Sequence, residues 1–234
     1  MLCMMVCATA MFAGCNKDEN NEPTPAANGG TNGGGQTAGE WVDLGLPSGL
    51  LWAKCNLGAT TPEGYGDYYA WGETATKDVY NWSTYKYCDG SDNTLTKYCY
   101  NSSIGYNGFT DNLTTLEAMD DAAAQKLGNG ARMPTKAEWE ELIRNTTAEW
   151  TQVNGVNGRK FTAPNGKSLF LPAAGYRYGS KLCDAGNAGH YWSSSLWESY
   201  PHCAWYFGFY EGDQFMSDYY RDDGFSVRAV RSQN

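Results

Sequence analysis

The C-terminal third of the chain, residues 175–231, constrains the fold most. It is a run of aromatic-rich strand patterns that ends in Gly224-Phe225-Ser226-Val227-Arg228-Ala229-Val230. Between Trp192-Ser193-Ser194-Ser195 and that ending, the segment is crowded with Tyr, Asp, Ser, Trp and Phe and nearly free of Lys. Side chains of this kind provide contact area at a low cost in conformational entropy. The segment therefore predicts strands that present a binding surface.

Strand alternation within residues 204–210 predicts which side chains face the core. Successive side chains of a strand point to opposite faces of its sheet. The two sets are Trp205, Phe207 and Phe209 on one face, and Tyr206, Gly208 and Tyr210 on the other. The first set is more apolar and is expected to pack inward. The second is expected to face solvent, because a tyrosine has a polar tip that favours water.

The outward set and the residues around it are the predicted ligand site. Aromatic faces stack on sugars and also suit protein epitopes, so both ligand classes stay open. Arg221 and Arg228 are expected to form structural ion pairs rather than ligand contacts. The predicted ligand-binding residues are Trp197, Tyr200, His202, Tyr206, Gly208, Tyr210, Asp213, Phe215, Ser217, Asp218, Tyr219, Tyr220, Asp222 and Asp223.

The N-terminus predicts export and lipid anchoring. Residues 2–13 form an uncharged, mostly apolar run that is too short to span a bilayer and lies where a secretory signal lies. It ends in Ala13-Gly14-Cys15, which resembles a bacterial lipobox. The sequence thus predicts a lipoprotein signal peptide over residues 1–14 and lipidation of Cys15. The alternative is the irregular start of a cytosolic protein, and the absence of Lys or Arg before the apolar run leaves the true start codon open.

The residues after Cys15 predict a surface-exposed location. Asn16-Lys17-Asp18-Glu19 resembles the signal that sends Bacteroidota lipoproteins to the outer face of the outer membrane. Residues 15–40 contain no apolar side chain larger than Ala apart from Cys15, so they are expected to form a disordered tether. Residues 41–234 are long enough for one domain with its own core. The formal net charge of −9 argues against nucleic acid and against anionic membrane surfaces as partners.

The cysteines fit an exported protein. Beyond the N-terminal segment the chain has Cys55, Cys88, Cys99, Cys183 and Cys203, an odd number, so at least one thiol is unpaired. Cys88 and Cys99 flank the turn pattern Asp89-Gly90-Ser91-Asp92-Asn93, and a hairpin there would permit a disulfide. A zinc site is not expected, because the histidines are few and no Cys-x-x-Cys occurs.

Two short helices and many strands predict the fold class. Capping-box patterns begin at Thr114 and at Thr135; the first helix is expected to run to Gly128, and the second to bury Trp139. Leu142 and Ile143 are expected to face inward beside Trp139. Strands are predicted over residues 41–44, 50–55, 168–173, 190–196, 204–210 and 225–231. The expected architecture is α+β with an antiparallel sheet and long loops.

Several motifs resemble the Fibrobacter succinogenes major paralogous domain family. They are Trp41-Val42-Asp43-Leu44-Gly45-Leu46-Pro47-Ser48-Gly49, Gly66-Asp67-Tyr68-Tyr69-Ala70-Trp71-Gly72-Glu73, Arg132-Met133-Pro134-Thr135, Leu171-Pro172-Ala173-Ala174-Gly175 and Tyr191-Trp192-Ser193-Ser194-Ser195. The resemblance covers nearly all of residues 41–231. It implies a C-type-lectin-like fold of the formylglycine-generating-enzyme type. Ala229 departs from the family, which usually has Pro there.

The resemblance raises an enzymatic alternative that the sequence does not favour. The related oxidase holds copper with two closely spaced cysteines near its C-terminus, whereas this chain has Cys203 there and Cys183 far away in sequence. Ser193-Ser194-Ser195 near His190 has no orienting acid placed by sequence. We therefore expect no catalysis and no cofactor.

Calcium is the remaining metal alternative. Lectins that bind sugar through calcium commonly use Glu-Pro-Asn or Gln-Pro-Asp loops, and the one similar run here, Glu22-Pro23-Thr24, lies in the tether. Asp89, Asp92 and Asn93 offer oxygen ligands, but turn chemistry explains them equally well.

The C-terminal segment also resembles variable proteins that retroelements diversify. In those proteins the mutable residues lie between a Trp-Ser-Ser start and a Gly-x-Ser-Val-Arg end. The alternative is an ordinary paralogue with a Tyr-rich loop. The expected function is a surface-anchored lipoprotein with one ligand-binding domain, whose partners are an extracellular protein or glycan and, through its lipid anchor, the membrane. The alternative is a structural or fimbrial-type surface component.

Overall fold

The computed structural model describes residues 41–233, and within them strands dominate over helices. The predicted signal peptide, the lipidation site Cys15 and the tether lie outside the described residues. Two α-helices accompany several antiparallel sheets, so the α+β class is confirmed. No helix within residues 41–233 is long and apolar enough to cross a bilayer.

The helices are α1 (Ala122–Leu127) and α2 (Lys136–Asn145). The strands are β1 (Trp41–Asp43), β2 (Leu51–Ala53), β3 (Tyr68–Tyr69), β4 (Thr147–Val153), β5 (Val156–Thr162), β6 (Ser168–Pro172), β7 (Tyr176–Tyr178), β8 (Lys181–Cys183), β9 (Ala188–Leu196), β10 (Cys203–Tyr210), β11 (Gln214–Tyr220), β12 (Phe225–Ser226) and β13 (Val230–Arg231).

The largest sheet has the strand order β11-β10-β9-β12-β3. Its strands β9 and β10 are buried on both faces, whereas edge strand β11 is half-buried. All its pairs are antiparallel except β12 with β9. On one face Tyr191, Phe207 and Phe209 pack with Trp139 of α2. On the other face Trp192 stacks on Phe225, with ring centroids 4.1 Å apart. Side chains that alternate along β9 and β10 therefore pack into two cores, one on each face of the sheet, and neither face is left to solvent.

Three smaller sheets surround the central one. Their orders are β1-β2-β13, β4-β5-β6 and the hairpin β7-β8. The predicted strand over residues 225–231 is divided between two sheets, because β12 pairs with β3 while β13 pairs with β2. The intervening Val227 and Ala229 accept backbone hydrogen bonds from Leu57 and Ala53.

Helix α2 begins as its sequence predicts. Thr135 accepts a hydrogen bond from the Glu138 backbone, and Glu138 accepts one from the Thr135 backbone, which completes the capping box. The Glu138 carboxylate also accepts two hydrogen bonds from Arg132, at 2.6 and 2.7 Å. Trp139 and Leu142 are buried, and Ile143 is partly buried against the same core.

The predicted start of the first helix is wrong. No helix begins at Thr114; α1 begins at Ala122, where Asp121 caps it by accepting hydrogen bonds from Ala123 and Ala124. The chain before it is held extended by β9, because Leu116 donates to Ser194 and Leu196 donates to Thr114. Tertiary pairing therefore overrides the local capping pattern. The helix ends at Gly128, as predicted.

The disulfide that a hairpin between Cys88 and Cys99 would permit is not formed. Their thiols instead donate to backbone oxygens, Cys88 to Trp82 and Cys99 to Asn101. Burial raises the pKa of both thiols.

The expected ion pairs of Arg221 and Arg228 are wrong, because neither residue forms an ion pair within residues 41–233. Both are fully buried and donate to neutral oxygens. Arg221 donates to the carbonyl oxygens of Lys97 and Tyr98. Their charges therefore lie inside the fold rather than at its surface.

Candidate functional site

The predicted ligand residues divide into buried and exposed groups. Tyr206, expected to face solvent, is only 6 % exposed. Its ring stacks on His190 with centroids 5.5 Å apart and meets Phe225 edge-on. Gly208 is buried as well, and a Cβ there would lie 2.7 Å from the ring of Phe215. These two positions are structural, because the second face of the sheet is covered by its own core.

Trp205 departs from the prediction in the opposite direction. It was expected in the core with Phe207 and Phe209, which are indeed buried, but it is only partly buried. The pairing of β10 with β9 shifts register between Ala204 and Tyr206, next to Trp205. The ammonium of Lys136 lies 3.8 Å from the Trp205 ring centroid, a cation–π contact.

Asp222 and Asp223 are also buried rather than exposed, at 5 % and 2 %. Burial raises the pKa of Asp222 to about 6. Burial and the neighbouring Asp222 carboxylate raise the pKa of Asp223 to about 8. Side-chain oxygen Oδ1 of Asp222 has no hydrogen-bond partner among the described residues.

The remaining predicted residues reach the surface to different extents. Exposed side chains are those of Tyr200, Tyr210, Asp213 and Tyr220. Half-buried ones are Trp197, His202, Phe215, Ser217, Asp218 and Tyr219. Burial raises the pKa of Asp218 and raises that of Tyr219 to about 12. The C-terminal surface is thus narrower than the sequence predicts.

Five of the accessible rings form a continuous chain of contacts that we call the aromatic band. Trp197 stacks on Tyr200 at 6.0 Å, and Tyr200 lies 5.3 Å from His202. Trp82 then meets His202 at 6.5 Å and Tyr220 at 6.3 Å, both edge-on. The band consists of Trp197, Tyr200, His202, Trp82 and Tyr220.

One end of the band opens into a pocket of about 580 Å³. Its walls carry the aromatic side chains of Tyr80, Trp82, Tyr176, Tyr178, Tyr219 and Tyr220. Asn81, Gly179, Asp222 and Asp223 complete the lining. We call this the aromatic–acid pocket. Its volume lies within the range of roughly 300–1,000 Å³ that is typical of small-ligand sites.

Three chain segments are joined by backbone hydrogen bonds to build the pocket. Tyr80 and Gly179 exchange two, at 2.9 and 2.8 Å, and Arg177 and Gly224 exchange two, at 2.7 and 2.9 Å. The hydroxyl of Tyr80 donates to the carbonyl of Tyr68 at 2.6 Å. Gly224 is required at this junction, since a Cβ there would lie 2.6 Å from the Tyr80 ring.

The sequence did not indicate four aromatic members of the pocket. Tyr80 and Trp82 come from the loop that precedes the Asp89-Gly90 turn, and Tyr176 and Tyr178 come from β7. The available signal was the aromatic density of the loop, which contains Tyr80, Trp82, Tyr85 and Tyr87 in close succession. Nothing in local sequence relates that loop to the C-terminal hairpin.

The serine run and its neighbouring histidine have structural contacts. The Ser193 hydroxyl donates to the carbonyl of Trp205 at 2.8 Å, and Ser195 accepts from the backbone of Lys136. His190 is buried between aromatic rings, and this burial lowers its pKa to about 3. Its ring therefore stays neutral at physiological pH.

The turn that offered calcium ligands is held by its own hydrogen bonds. Thr94 accepts from the backbone of Asp89, and the Ser91 hydroxyl donates to Asn93 at 2.6 Å. Within the part of the chain that the structure describes, no group of three His, Cys, Asp or Glu side chains is placed to hold a metal ion.

The family profile described as "Domain of unknown function (DUF8237)" matches residues 145–230, less than half of the chain. The match runs from the last residue of α2 to Val230 and includes β4 through β12. It therefore includes the C-terminal hairpin and the Asp222–Asp223 side of the pocket, but not Tyr80 or Trp82. Neither the curated proteins nor the solved structures gave a match.

Proposed function

We propose that this protein binds an extracellular protein or glycan through the aromatic band and the adjoining pocket. The observation that carries the proposal is the continuity of these rings. Tyr200 and Tyr220 are 43 % and 52 % exposed, yet each contacts another ring rather than standing alone. Aromatic anchors next to a pocket supply most of the energy of many interfaces.

The proposed scaffold is a C-type-lectin-like domain of the formylglycine-generating-enzyme type. Its support is the resemblance of the motifs, several of which occupy structural positions. The motif residue Arg132 binds Glu138 at the start of α2, and the next residue, Trp139, packs in the core. In this proposal the domain binds rather than catalyses, which the structural hydrogen bond of Ser193 and the buried, neutral His190 support.

The binding test uses matched pairs of exposed aromatic residues. The protein is screened against glycan and cell-surface protein arrays, and hits are repeated with the double variant Tyr200→Ala/Tyr220→Ala. The control is Tyr106→Ala/Phe109→Ala, which removes two rings of similar exposure, 43 % and 37 %, from outside the band. We expect the first variant to lose at least about 10-fold in affinity, on the scale of an interface hot spot.

The reverse pattern would place the site elsewhere. Loss of binding in the control variant together with wild-type binding in the band variant would assign the site to the loop around Tyr106. Both doubles are expected to melt close to wild type, because exposed substitutions usually change stability little.

We further propose that the protein is a lipoprotein anchored through Cys15 and displayed on the outer face of the outer membrane. The sequence motifs around Ala13-Gly14-Cys15 and Lys17-Asp18-Glu19 support this. Metabolic labelling with an alkyne fatty acid should label wild-type protein and Cys7→Ala, but not Cys15→Ala. Equal labelling of Cys15→Ala would reject the anchor. Protease added to intact cells should cleave the protein, and full protection would reject surface display.

A further inference from the structure

We propose that the aromatic–acid pocket binds an organic cation, an alkylammonium or guanidinium group, with Asp222 as its counter-charge. This inference rests on the proposed function, since it names the chemistry that one part of the binding surface selects. It is carried by the combination of aromatic walls, buried carboxyl groups and an unpartnered carboxylate oxygen in one pocket.

The first step concerns Asp222. Its side chain is 5 % exposed, lines the pocket, and has an Oδ1 atom with no hydrogen-bond donor among the described residues. A buried carboxylate without a partner costs free energy that a paired one recovers. With its pKa raised to about 6, Asp222 is mostly ionised at neutral pH. A cationic ligand would supply the missing partner.

The second step concerns the charged side chains nearby, which leave this carboxylate without a salt bridge. Lys77 donates to Glu73 at 2.9 Å and to the carbonyl of Thr84 at 3.1 Å. Arg221 donates to backbone oxygens and lies against the rings of Trp71 and Tyr85.

The guanidinium of Arg177 lies 5.4 Å from the Tyr68 ring centroid. The exposed Asp92 is near enough to raise the pKa of Asp222, whereas Asp223, with its pKa raised to about 8, is mostly protonated at neutral pH.

Lys77 and Arg221 are near enough to lower the pKa of Asp222, and the Nε and Nη2 atoms of Arg221 have no hydrogen-bond partner among the described residues. Neither residue forms a salt bridge with Asp222, however. Asp222 is therefore a buried carboxyl group without a direct basic partner, which favours a positively charged ligand.

The third step concerns the walls. The Trp82 and Tyr220 rings are 6.3 Å apart at 81°, the Tyr219 and Tyr220 rings 6.1 Å apart at 73°, and the Tyr176 and Tyr219 rings 6.0 Å apart at 64°. Steeply inclined rings of this kind present several π faces and edges around one space. Aromatic walls attract cations through their quadrupoles and form the cages that hold ammonium groups.

The pocket volume allows two sources of the same chemistry. About 580 Å³ accommodates a free small amine, and it also accommodates the side chain of Lys or Arg from a protein partner together with flanking atoms. The side-chain source fits the position of the pocket at the end of the aromatic band, where a larger ligand would already be in contact.

The test compares cations with neutral molecules of the same shape. Full-length protein in a non-ionic detergent is titrated with choline against 3,3-dimethyl-1-butanol, and with agmatine. A short peptide with a central arginine is titrated against the same peptide with citrulline. Binding is followed by calorimetry. We expect choline and the arginine peptide each to bind at least about 10-fold more tightly than the neutral counterpart, which corresponds to about 1.4 kcal/mol.

Variants connect the selectivity to the pocket. Asp222→Asn should reduce the preference for the cation over its neutral counterpart at least about 5-fold, and Trp82→Ala should weaken the binding of choline, agmatine and the arginine peptide. Glu149→Gln, which removes an exposed carboxylate on β4, should behave as wild type. If Asp222→Asn fails to fold by circular dichroism, Asp222→Ser takes its place, because it also removes the carboxylate. A peptide that binds about 10-fold more tightly than agmatine would assign the cation to a protein side chain, and equal binding would assign it to a free amine.

Two results would overturn the inference. The first is a failure of cation binding: either choline and its neutral counterpart bind with equal affinity, or no cation binds up to 50 mM, a dissociation constant that corresponds to about 2 kcal/mol of binding free energy. The other is an unchanged cation preference in Asp222→Asn. Either result leaves the proposed function standing if the Tyr200→Ala/Tyr220→Ala variant still loses its array ligands. Loss of cation selectivity and of the array result together would reject both.

Discussion

Arg228 is fully buried, and its guanidinium donates hydrogen bonds to the side-chain oxygen of Asn56. Nε and Nη2 donate to Asn56 Oδ1 at 3.0 and 2.7 Å, and Nη1 donates to the carbonyls of Ala53 and Lys54. A buried cation thus has four neutral acceptor contacts and no carboxylate. This arrangement joins the C-terminal motif to the segment after β2, at the point where the chain passes from β12 to β13.

Asn56→Ala should therefore destabilise the protein strongly. The substitution leaves a buried guanidinium with two hydrogen bonds fewer, and hydrogen bonds to charged groups contribute roughly 1.5–3 kcal/mol. We expect urea unfolding to show a loss of about that size or more. Asn112→Ala, at an exposed position, is the control and should remain within about 0.5 kcal/mol of wild type. A loss below about 1 kcal/mol for Asn56→Ala would mean that water or backbone groups replace Asn56 readily.

Gly224→Ala should disturb the pocket more than the rest of the fold. Its Cβ would lie 2.6 Å from the Tyr80 ring and 2.9 Å from the Arg177 side chain, so one of them must move. Overpacking of this kind costs typically 1–3 kcal/mol. Gly212→Ala is the control, because its Cβ meets only the edge of the exposed Tyr210 ring, at 3.2 Å. The readouts are the midpoint of urea unfolding and the affinity for the ligand. Unchanged values for Gly224→Ala would contradict the predicted clash of its Cβ with Tyr80 and Arg177.

Tyr206→Ala should be far more costly than Tyr210→Ala, although the two lie on the same strand and the same face. Tyr206 is buried among His190, Trp192 and Phe225, whereas Tyr210 is 37 % exposed at the strand end. Truncation of a large buried aromatic residue costs about 3–5 kcal/mol. For Tyr210 we expect less than about 1 kcal/mol. Similar melting temperatures for the two variants would mean that the second core does not contribute to stability.

The sequence predicts those elements whose signals are local. The capping box at Thr135, the burial of Trp139 and the hairpin strand over residues 204–210 all depend on spacing within a few residues, and the structure confirms them. Strands β4 and β5 were missed, because Thr147–Val153 and Val156–Thr162 are largely polar or half-buried and carry little apolar alternation. They are defined by pairing with each other and with β6.

The errors at the site have one physical origin. Alternation along β10 identifies two faces, but it does not reveal that both are covered, so Tyr206 was assigned to solvent. Asp222 and Asp223 were predicted to lie at the surface, because carboxylates are rarely buried without partners. Trp82 joins the band through contacts with His202 and Tyr220 that are distant in sequence. Sequence reasoning therefore found the hairpin side of the site and held the loop over residues 80–106 only as the next candidate, outside the predicted ligand residues.

Stability should fall as pH rises from 6.5 to 8, because of Asp223. Its pKa is raised to about 8 in the folded protein from an ordinary 3.8. Between these values the folded state holds a proton that the unfolded chain has released, so each rise in pH favours unfolding. Asp222, at about 6, acts in the same direction at lower pH.

His190 opposes this trend, mainly below about pH 7. Its folded pKa of about 3 lies below the ordinary 6.5, so the unfolded chain takes up a proton there that the folded protein does not. His202, whose pKa burial also lowers, acts in the same direction as His190. Both contributions fade over about one pH unit above 6.5, as the unfolded imidazoles lose their protons, so the Asp223 effect is seen most clearly near pH 7.5. A difference of one bound proton between the folded and unfolded states changes the free energy of unfolding by about 1.4 kcal/mol per pH unit. Near pH 7 we expect a decrease of about 1 kcal/mol per pH unit, because Asp223 is partly ionised and the histidines still oppose it.

The measurement is urea unfolding of wild type, Asp223→Asn and Asp213→Asn at pH 6.5, 7.0, 7.5 and 8.0. This range lies between the ordinary pKa of histidine, 6.5, and the raised pKa of Asp223, about 8. Asp223→Asn should remove most of the slope, since an amide does not titrate. Asp213→Asn, at the exposed turn between β10 and β11, should keep the wild-type slope. If the slope persists in Asp223→Asn, another buried acid such as Asp121 or Asp184, whose pKa burial also raises, is responsible. A flat wild-type profile would mean that Asp223 is ionised in the folded protein and that its charge is compensated within the pocket.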